Sequence, residues 1–385
     1  MYKMEVTLAA NLTNDVSGRN ESAPCNGSLT GMVLAGDVAL SVGFAIVVVW
    51  TITSSLLVCA VNLRNREMLR NPYNIHIFHL ALADLLSALM TAITPGFIST
   101  SILPTPYGIT PSEIHCRLIR SHFFVFTFSG VSIYIILALA VERWYAVTRP
   151  LQYRATFHHR RIIMEALGIW SAAVLTNIIL LFELEFHPQR EPANRCEITA
   201  NRFTSIPFRQ FLAFSLFLLK FLTPLLVTCV LYVKIFRETG RSRVLSRGHE
   251  GYGTRIALSR MGAASTIALA VCWCPNQVYY ALYNFGAWEL NNNVHYWTIV
   301  AAMLNSCLNP MIFAFHSEQY REGFKQLLMC RPNRASIPEG AQINTPFHIM
   351  KASQMFCNAA GLKPPRSPIM LRKNLVGRAM YAMKT

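Results

Sequence analysis

Two charged residues stand where hydrocarbon should exclude them. Asp84 lies midway along the apolar run Ile75–Met90, and Lys220 lies inside Phe217–Phe221, four residues before Pro224. A charge at bilayer depth costs at least ~2.5–3.5 kcal/mol, so such residues face a protein interior or a water-filled cavity and mark function. For Lys220 the functional reading is a pair with an anionic ligand group, such as a peptide C-terminus or an acidic side chain. The alternatives are a lysine that snorkels to the interface and one paired with an internal acid. Glu142-Arg143 closes another apolar stretch. An arginine there pairs locally or reaches outward when released; the plainer reading is an interfacial basic residue. Pro275 lacks an N–H and kinks its helix, and a kinked helix can swing its inner end for a small change near Trp273. The sequence holds no nucleophile–base set, zinc-ligand spacing or phosphate-binding glycine loop. The expected chemistry is therefore binding and switching, with no catalytic residues and no enzyme.

The elements that must position these groups are long apolar helices. The chain has 385 residues, 53% of them hydrophobic and 14% charged, against roughly 25% charged in a soluble domain. A bilayer core needs about 20 apolar residues per helix. Seven stretches qualify, near 38–63, 74–98, 119–141, 162–184, 208–236, 257–284 and 295–315. They are too long and too continuously apolar for barrel strands. The expected fold is an all-α membrane protein, a seven-transmembrane helix bundle over 38–315. A short amphipathic cytoplasmic helix follows at 316–330, with Tyr320, Phe324, Leu327 and Leu328 inward and Arg321 and Lys325 at the headgroups. The remainder, 331–385, mixes Pro, Ser, Lys and Arg without periodicity and is expected to be a disordered cytoplasmic tail.

A net charge of +16 raises the question of nucleic acid, but its distribution answers it. Arginines and lysines cluster after span 1 (Arg64, Arg66, Arg70), between spans 3 and 4 (Arg149, Arg154, Arg160, Arg161), between spans 5 and 6, and in the tail. The loop 284–294 has none. This asymmetry follows the positive-inside rule and places the N-terminus outside and the C-terminus in the cytoplasm. The basic loops lack interleaved aromatics, so no nucleic-acid partner is expected. Residues 1–37 carry three glycosylation sequons, at Asn11, Asn20 and Asn26, which fits an extracellular glycosylated N-terminus. Met1–Ala10 lacks the layout of a signal peptide, so span 1 is expected to act as its own insertion signal. Of the ten cysteines, Cys25, Cys116 and Cys196 fall on the oxidising side. Cys116, at the top of span 3, is paired with Cys196 in the loop after span 4, which leaves Cys25 free or joined to another chain. Cys330, just after the amphipathic helix, is a palmitoylation candidate.

An ordered series of motifs resembles a rhodopsin-like (class A) G-protein-coupled receptor of the peptide-receptor type, over roughly residues 38–330. It comprises Leu80-Ala81-Leu82-Ala83-Asp84 in span 2, Glu142-Arg143-Trp144 followed by Pro150-Leu151-Gln152-Tyr153, and Trp170 in span 4. Pro224 and Tyr232 follow in span 5, Cys272-Trp273-Cys274-Pro275 in span 6, and Asn305-Ser306 with Asn309-Pro310-Met311-Ile312-Phe313 in span 7. The resemblance implies an activation switch built from Glu142, Arg143, Trp144, Tyr232, Trp273, Pro275, Asn309, Pro310 and Phe313. It also implies a buried sodium site at Asp84, Ser132, Asn305, Ser306 and Asn309, oxygen chemistry suited to a hard cation. A polar network without an ion is the alternative. No other cofactor is expected.

The chain departs from the family at several points. Ser54-Ser55 replaces Gly-Asn, Phe313 replaces a tyrosine, and Leu269 replaces a phenylalanine. Arg255 stands where some members carry an acid that locks Arg143, which predicts elevated basal signalling. Cys116 is two residues further from Arg143 than is usual. The position matching the retinal lysine of opsins is Met303. The amine-binding aspartate of span 3 falls at Val125 counted from Arg143, or at Phe123 counted from Cys116, so retinal and amines are excluded. The ligand site is expected at Lys220, Trp273, Asn276, Gln277, Tyr280 and Val125, with Arg120, His122, Arg209, Gln210, Glu289 and Tyr296 as a rim. The implied function is ligand-activated nucleotide exchange on a heterotrimeric G protein at the plasma membrane, with a neuropeptide outside and arrestin as a further partner inside. A lipid or small-molecule ligand, or a non-signalling scavenger receptor, is the alternative.

Overall fold

The computed structural model describes residues 27–98, 108–182, 184–189, 196–198, 206–242, 252–288 and 292–329. The sequon asparagines Asn11, Asn20 and Asn26, Cys25, Cys330 and the tail lie outside them, as do Glu289 and the side chains of Arg209 and Arg255. The chain divides into two compact units, Met1–Ala39 and Leu40–Thr385. Of the first, the described part is helical backbone from Gly27 onward.

Seven helices are long and apolar enough to cross a membrane: Val38–Arg64, Pro72–Ile93, Ile109–Thr148, Arg160–Phe182, Gln210–Gly240, Ile256–Asn284 and Asn293–His316. These spans 1–7 form the expected bundle. Local chemistry sets their ends. Asn71 caps span 2 by accepting from Tyr73 N at 3.1 Å, with Pro72 in the first turn, where its missing N–H costs nothing. Asn292 caps span 7 in the same way through His295 N, 2.8 Å. Span 6 stops at Gly286, whose φ of +76° closes a C-terminal turn: Ala287 N donates to Leu282 O and Gly286 N to Tyr283 O. Spans 6 and 7 pack along one another, as do spans 2 and 3. The largest apolar core joins Ile77, Leu80, Ile136, Leu269, Trp273 and Phe313.

Three features differ from the sequence-based expectation. Span 3 begins ten residues earlier, at Ile109, and Glu113 and Arg117 of the added turns pair with each other at 2.6 Å. Its outer part is not regular: a π-helical turn at Cys116–Arg120 runs into Ser121 and then His122 in the left-handed region, φ +59°, a conformation rare for a residue other than glycine. The two extra residues between Cys116 and Arg143 are taken up in this break. Finally, the loop after span 4 contains an antiparallel pair, β1 (Leu184–Phe186) and β2 (Cys196–Ile198), with Glu185 opposite Glu197. Cys116 and Cys196 form a disulfide, Cα atoms 5.6 Å apart. Arg117 donates to Leu181 O and Phe186 N donates to Glu113, so charge and backbone bonds hold β1 on span 3 beside the disulfide.

The amphipathic helix spans Glu318–Leu328 and is capped by Ser317. Tyr320 and Leu327 are buried against the bundle, as read from the sequence, and Leu328 lies on the protein's surface.

Candidate functional site

A cleft of about 1170 Å³, counted out to its open mouth, lies among spans 3–7. Lys220, Trp273, Asn276, Gln277 and Tyr280 all line it, together with Asn177. Lys220 Nζ donates to Asn177 Oδ1 at 2.9 Å, and Asn177 Nδ2 donates to Ala173 O at 2.8 Å. The span 4 backbone thus turns the amide oxygen toward the ammonium. Asn276 donates to Thr298 Oγ1 at 3.2 Å, joining spans 6 and 7 beside the cleft.

Val125 is not part of the lining. It is 2% exposed, packed with Phe97, Met303 and Val300, and its carbonyl accepts from Ser87. The break at Ser121–His122 upsets the count inward from Cys116, whereas Val125 lies with Arg143 in the regular helix Phe123–Thr148, on a face that packs against Phe97 and span 7. His122 and Phe126 reach the cleft instead. Arg120, expected at the rim, also lines it; Tyr296 packs edge-on against Phe44 and Phe97.

Below the cleft, Asp84 is buried and accepts three hydrogen bonds: Ser132 Oγ at 2.7 Å and Ser306 Oγ at 2.8 Å on Oδ1, and Asn309 Nδ2 at 3.0 Å on Oδ2. The Oδ1 atoms of Asn305 and Asn309 are buried without a hydrogen-bond partner among the described residues, as is Ser55 Oγ. Unused acceptor oxygens beside a carboxylate match the needs of a hard cation or an ordered water. Phe313 packs on Tyr320, 5.8 Å between ring centroids. The Tyr232 hydroxyl, buried 4%-exposed against Gly262, likewise has no partner among the described residues.

At the inner end of span 3, Arg143 Nη2 donates to Glu142 Oε1 at 2.8 Å, and the Tyr153 hydroxyl donates to the same oxygen at 2.8 Å. Burial and the Glu142 charge push the Tyr153 phenol upward, so it stays a proton donor. The Arg143 guanidinium stacks over the Tyr73 ring, 4.1 Å from its centroid. Tyr73 Oη in turn donates to Leu258 O of span 6 at 3.3 Å. Sequence reading missed Tyr73 because its role depends on which helix lies opposite; a tyrosine two residues after a helix cap carries no functional signal. It missed Tyr320, whose hydroxyl bridges Asn62 and Asn74, for the same reason. Trp144 packs on Tyr145 beside this cluster, and Pro275 and Pro310 lie inside their helices as expected.

Comparison with known proteins follows this geometry. The chain is 25% identical over 323 residues to the allatostatin-A receptor of Bombyx mori, covering 80% of this chain and 83% of that protein. It is 28% identical over 224 residues to the KiSS-1 receptor of Rattus norvegicus (53% and 55%) and 27% identical over 278 residues to adenosine receptor A3 of Ovis aries (69% and 83%). Residues 54–313 match the model of the seven-transmembrane receptor family, rhodopsin family. Seven membrane-length helices, the disulfide tying span 3 to the following loop, the Asp84 network and the Glu142-Arg143 pair all agree with that match: the chain belongs to the rhodopsin family of G-protein-coupled receptors.

Proposed function

We propose that this receptor is activated by a peptide from outside the cell and promotes nucleotide exchange on a heterotrimeric G protein through an outward swing of the inner end of span 6. The observation that carries the reading is the continuity of the two ends. The cleft reaches Trp273, two residues before Pro275, and the inner half of the same helix is tied to Arg143 through Tyr73 and Leu258 O. A ligand that packs differently against Trp273 in the two states shifts their populations only by that difference. The coupling is reciprocal, so bound G protein tightens agonist. With span 6 displaced, Tyr73 loses its acceptor and Arg143 faces the opened crevice.

The Asp84 site takes a sodium ion in the inactive state, held by Asp84, Ser132, Ser306 and Asn309 with the free oxygens of Asn305 and Asn309 as further donors. Arrestin is the second cytoplasmic partner. The N-terminus faces outside, since the basic residues cluster at the opposite end of the bundle. Similarity to receptors named for allatostatin-A and KiSS-1 favours a peptide; similarity to an adenosine receptor keeps a small molecule as the second reading.

Transfected cells expressing the full chain, challenged with allatostatin-A-type and KiSS-1-type peptides, other free-acid and amidated neuropeptides, and adenosine, test this directly. A saturable G-protein response to a peptide, lost in Arg143→Ala at equal surface expression, is the expected result. A response to adenosine alone selects the second reading. Silence across the panel, with no effect of Arg143→Ala on basal exchange, leaves a non-signalling receptor.

A further inference from the structure

The hydroxyl of Tyr232 is buried and unbonded. The residue is 4% exposed, and its Oη has no hydrogen-bond partner among the described residues. Tyr232 shares one apolar cluster with Ala140, Trp144 and Val147 of span 3 and Ala263 of span 6. It therefore lies where spans 3, 5 and 6 meet, at the end of the bundle that carries Glu142 and Arg143. Its Oη abuts Gly262 of span 6. A Cβ added to Gly262 would collide with Oη and would stand 2.8 Å from Cζ, closer than real Cβ contacts come. Nothing in the backbone calls for glycine here: Gly262 is inside the helix Ile256–Asn284 and is not among the glycines with positive φ. In a helix interior glycine is less favourable than alanine. What the missing side chain provides is room for Tyr232.

We propose that Gly262 is a positioning residue for the movement of span 6: it forms the seat in which the packed-in state holds the Tyr232 hydroxyl. This rests on the receptor reading, but not on the nature of the ligand. A side chain at position 262 is incompatible with the packing of spans 5 and 6 seen here, so the packed-in state exists because that side chain is absent. The seat also carries a cost, since a buried hydroxyl without a bond is unfavourable. Thirteen residues separate Gly262 from Pro275, a lever of about 20 Å, so a small change of angle at the kink opens the seat. Once span 6 lifts away, the hydroxyl can reach water or the inner end of span 3, where Arg143 and Glu142 lie close enough for their charges to act on it. Tyr73 and Tyr232 thus oppose each other. The first ties span 6 inward by a hydrogen bond, and the second favours release because its hydroxyl is unpaired in the seat.

Two measurements test this: the melting midpoint of the purified full chain in detergent, and basal nucleotide exchange on heterotrimeric G proteins of each class in membranes matched for receptor number. Helix propensity alone predicts that Gly262→Ala raises the midpoint. The seat predicts the opposite sign, together with a rise in basal exchange of more than about 5-fold, as overpacking confined to the packed-in state implies. Tyr232→Phe should raise the midpoint by roughly 2–4 °C, because it removes an unbonded hydroxyl; a bonded one would lower it on removal. Tyr232→Leu empties the seat, so in that background Gly262→Ala should cost less stability and raise basal exchange less. This double variant also serves where Gly262→Ala alone does not fold. A midpoint raised by Gly262→Ala, a midpoint lowered by Tyr232→Phe, or an equal effect of Gly262→Ala with and without Tyr232→Leu overturns the proposal. A lowered midpoint with unchanged basal exchange in Gly262→Ala makes the glycine a packing residue only and also overturns it; a peptide response in the same membranes then leaves the receptor reading intact. If the wild type is silent to every peptide and G protein, the receptor reading fails, while the midpoints still decide whether the seat exists.

Discussion

Replacing Tyr73 by phenylalanine should raise signalling in the absence of ligand. The Tyr73 hydroxyl donates to Leu258 O of span 6 at 3.3 Å, while its ring carries the Arg143 guanidinium at 4.1 Å. Tyr73→Phe removes the first contact and keeps the second. Leu258 lies inside the span 6 helix, so its carbonyl retains its helical bond and is not orphaned. The loss is then that of one neutral hydrogen bond, ~0.5–1.5 kcal/mol, paid only in the state where span 6 is packed inward. With the inactive state predominant, the active population rises about 2- to 13-fold. Tyr73→Ala is the poorer probe, because truncating a buried aromatic costs ~3–5 kcal/mol of stability and lowers the amount of folded receptor. The assay is basal nucleotide exchange on G protein in membranes matched for receptor number. An unchanged or lower basal rate in Tyr73→Phe refutes the tie. Wild-type basal signalling is read in the same assay: Arg255 removes one lock from the sequence, and Tyr73 supplies another contact between Arg143 and span 6. A high wild-type rate that Tyr73→Phe does not increase would mean that the missing acid decides the balance.

The sodium reading predicts that Na⁺ raises the melting midpoint of the purified receptor relative to choline, and that Asp84→Asn abolishes the difference. At about ten times its dissociation constant, sodium would contribute ~1.4 kcal/mol, or roughly 2–4 °C; an equal sodium effect in Asp84→Asn would remove the ion from this site. Gly323 is the point where the amphipathic helix meets span 1. An added Cβ there would stand 2.6 Å from Val61 Cγ1, so Gly323→Ala should cost ~1–3 kcal/mol by overpacking. The midpoint of the double variant Gly323→Ala/Val61→Ala should lie above that of Gly323→Ala, and failure of this rescue would show that the helix does not dock through that contact.

The sequence by itself determined the bundle, because the cost of unsatisfied backbone in hydrocarbon leaves few solutions for seven apolar stretches of this length. Three cysteines on the oxidising side left three pairings, of which the one read, Cys116 with Cys196, is formed; the set around Asp84 came from the family resemblance, and its charge inside an apolar helix marked it as buried. The two cations of the cleft were visible as residues, Lys220 as an anomaly and Arg120 as a rim residue. What only the tertiary structure decided was register and opposition. The face of span 3 that turns to the cleft is set by how the regular helix Phe123–Thr148 lies against its neighbours, which buries Val125 in apolar packing and brings Phe126 to the cleft, while the π-helical turn and left-handed His122 shape the part outward of it. A backbone irregularity of this kind leaves no periodic signature, because the strained residue is stabilised by contacts from other helices. The partnership of Asn177 with Lys220 spans 43 residues and that of Tyr73 with Leu258 spans 185. Such pairs are set by how helices lie against each other, and an ordinary asparagine or tyrosine in a helix gives no sign of which neighbour it will meet.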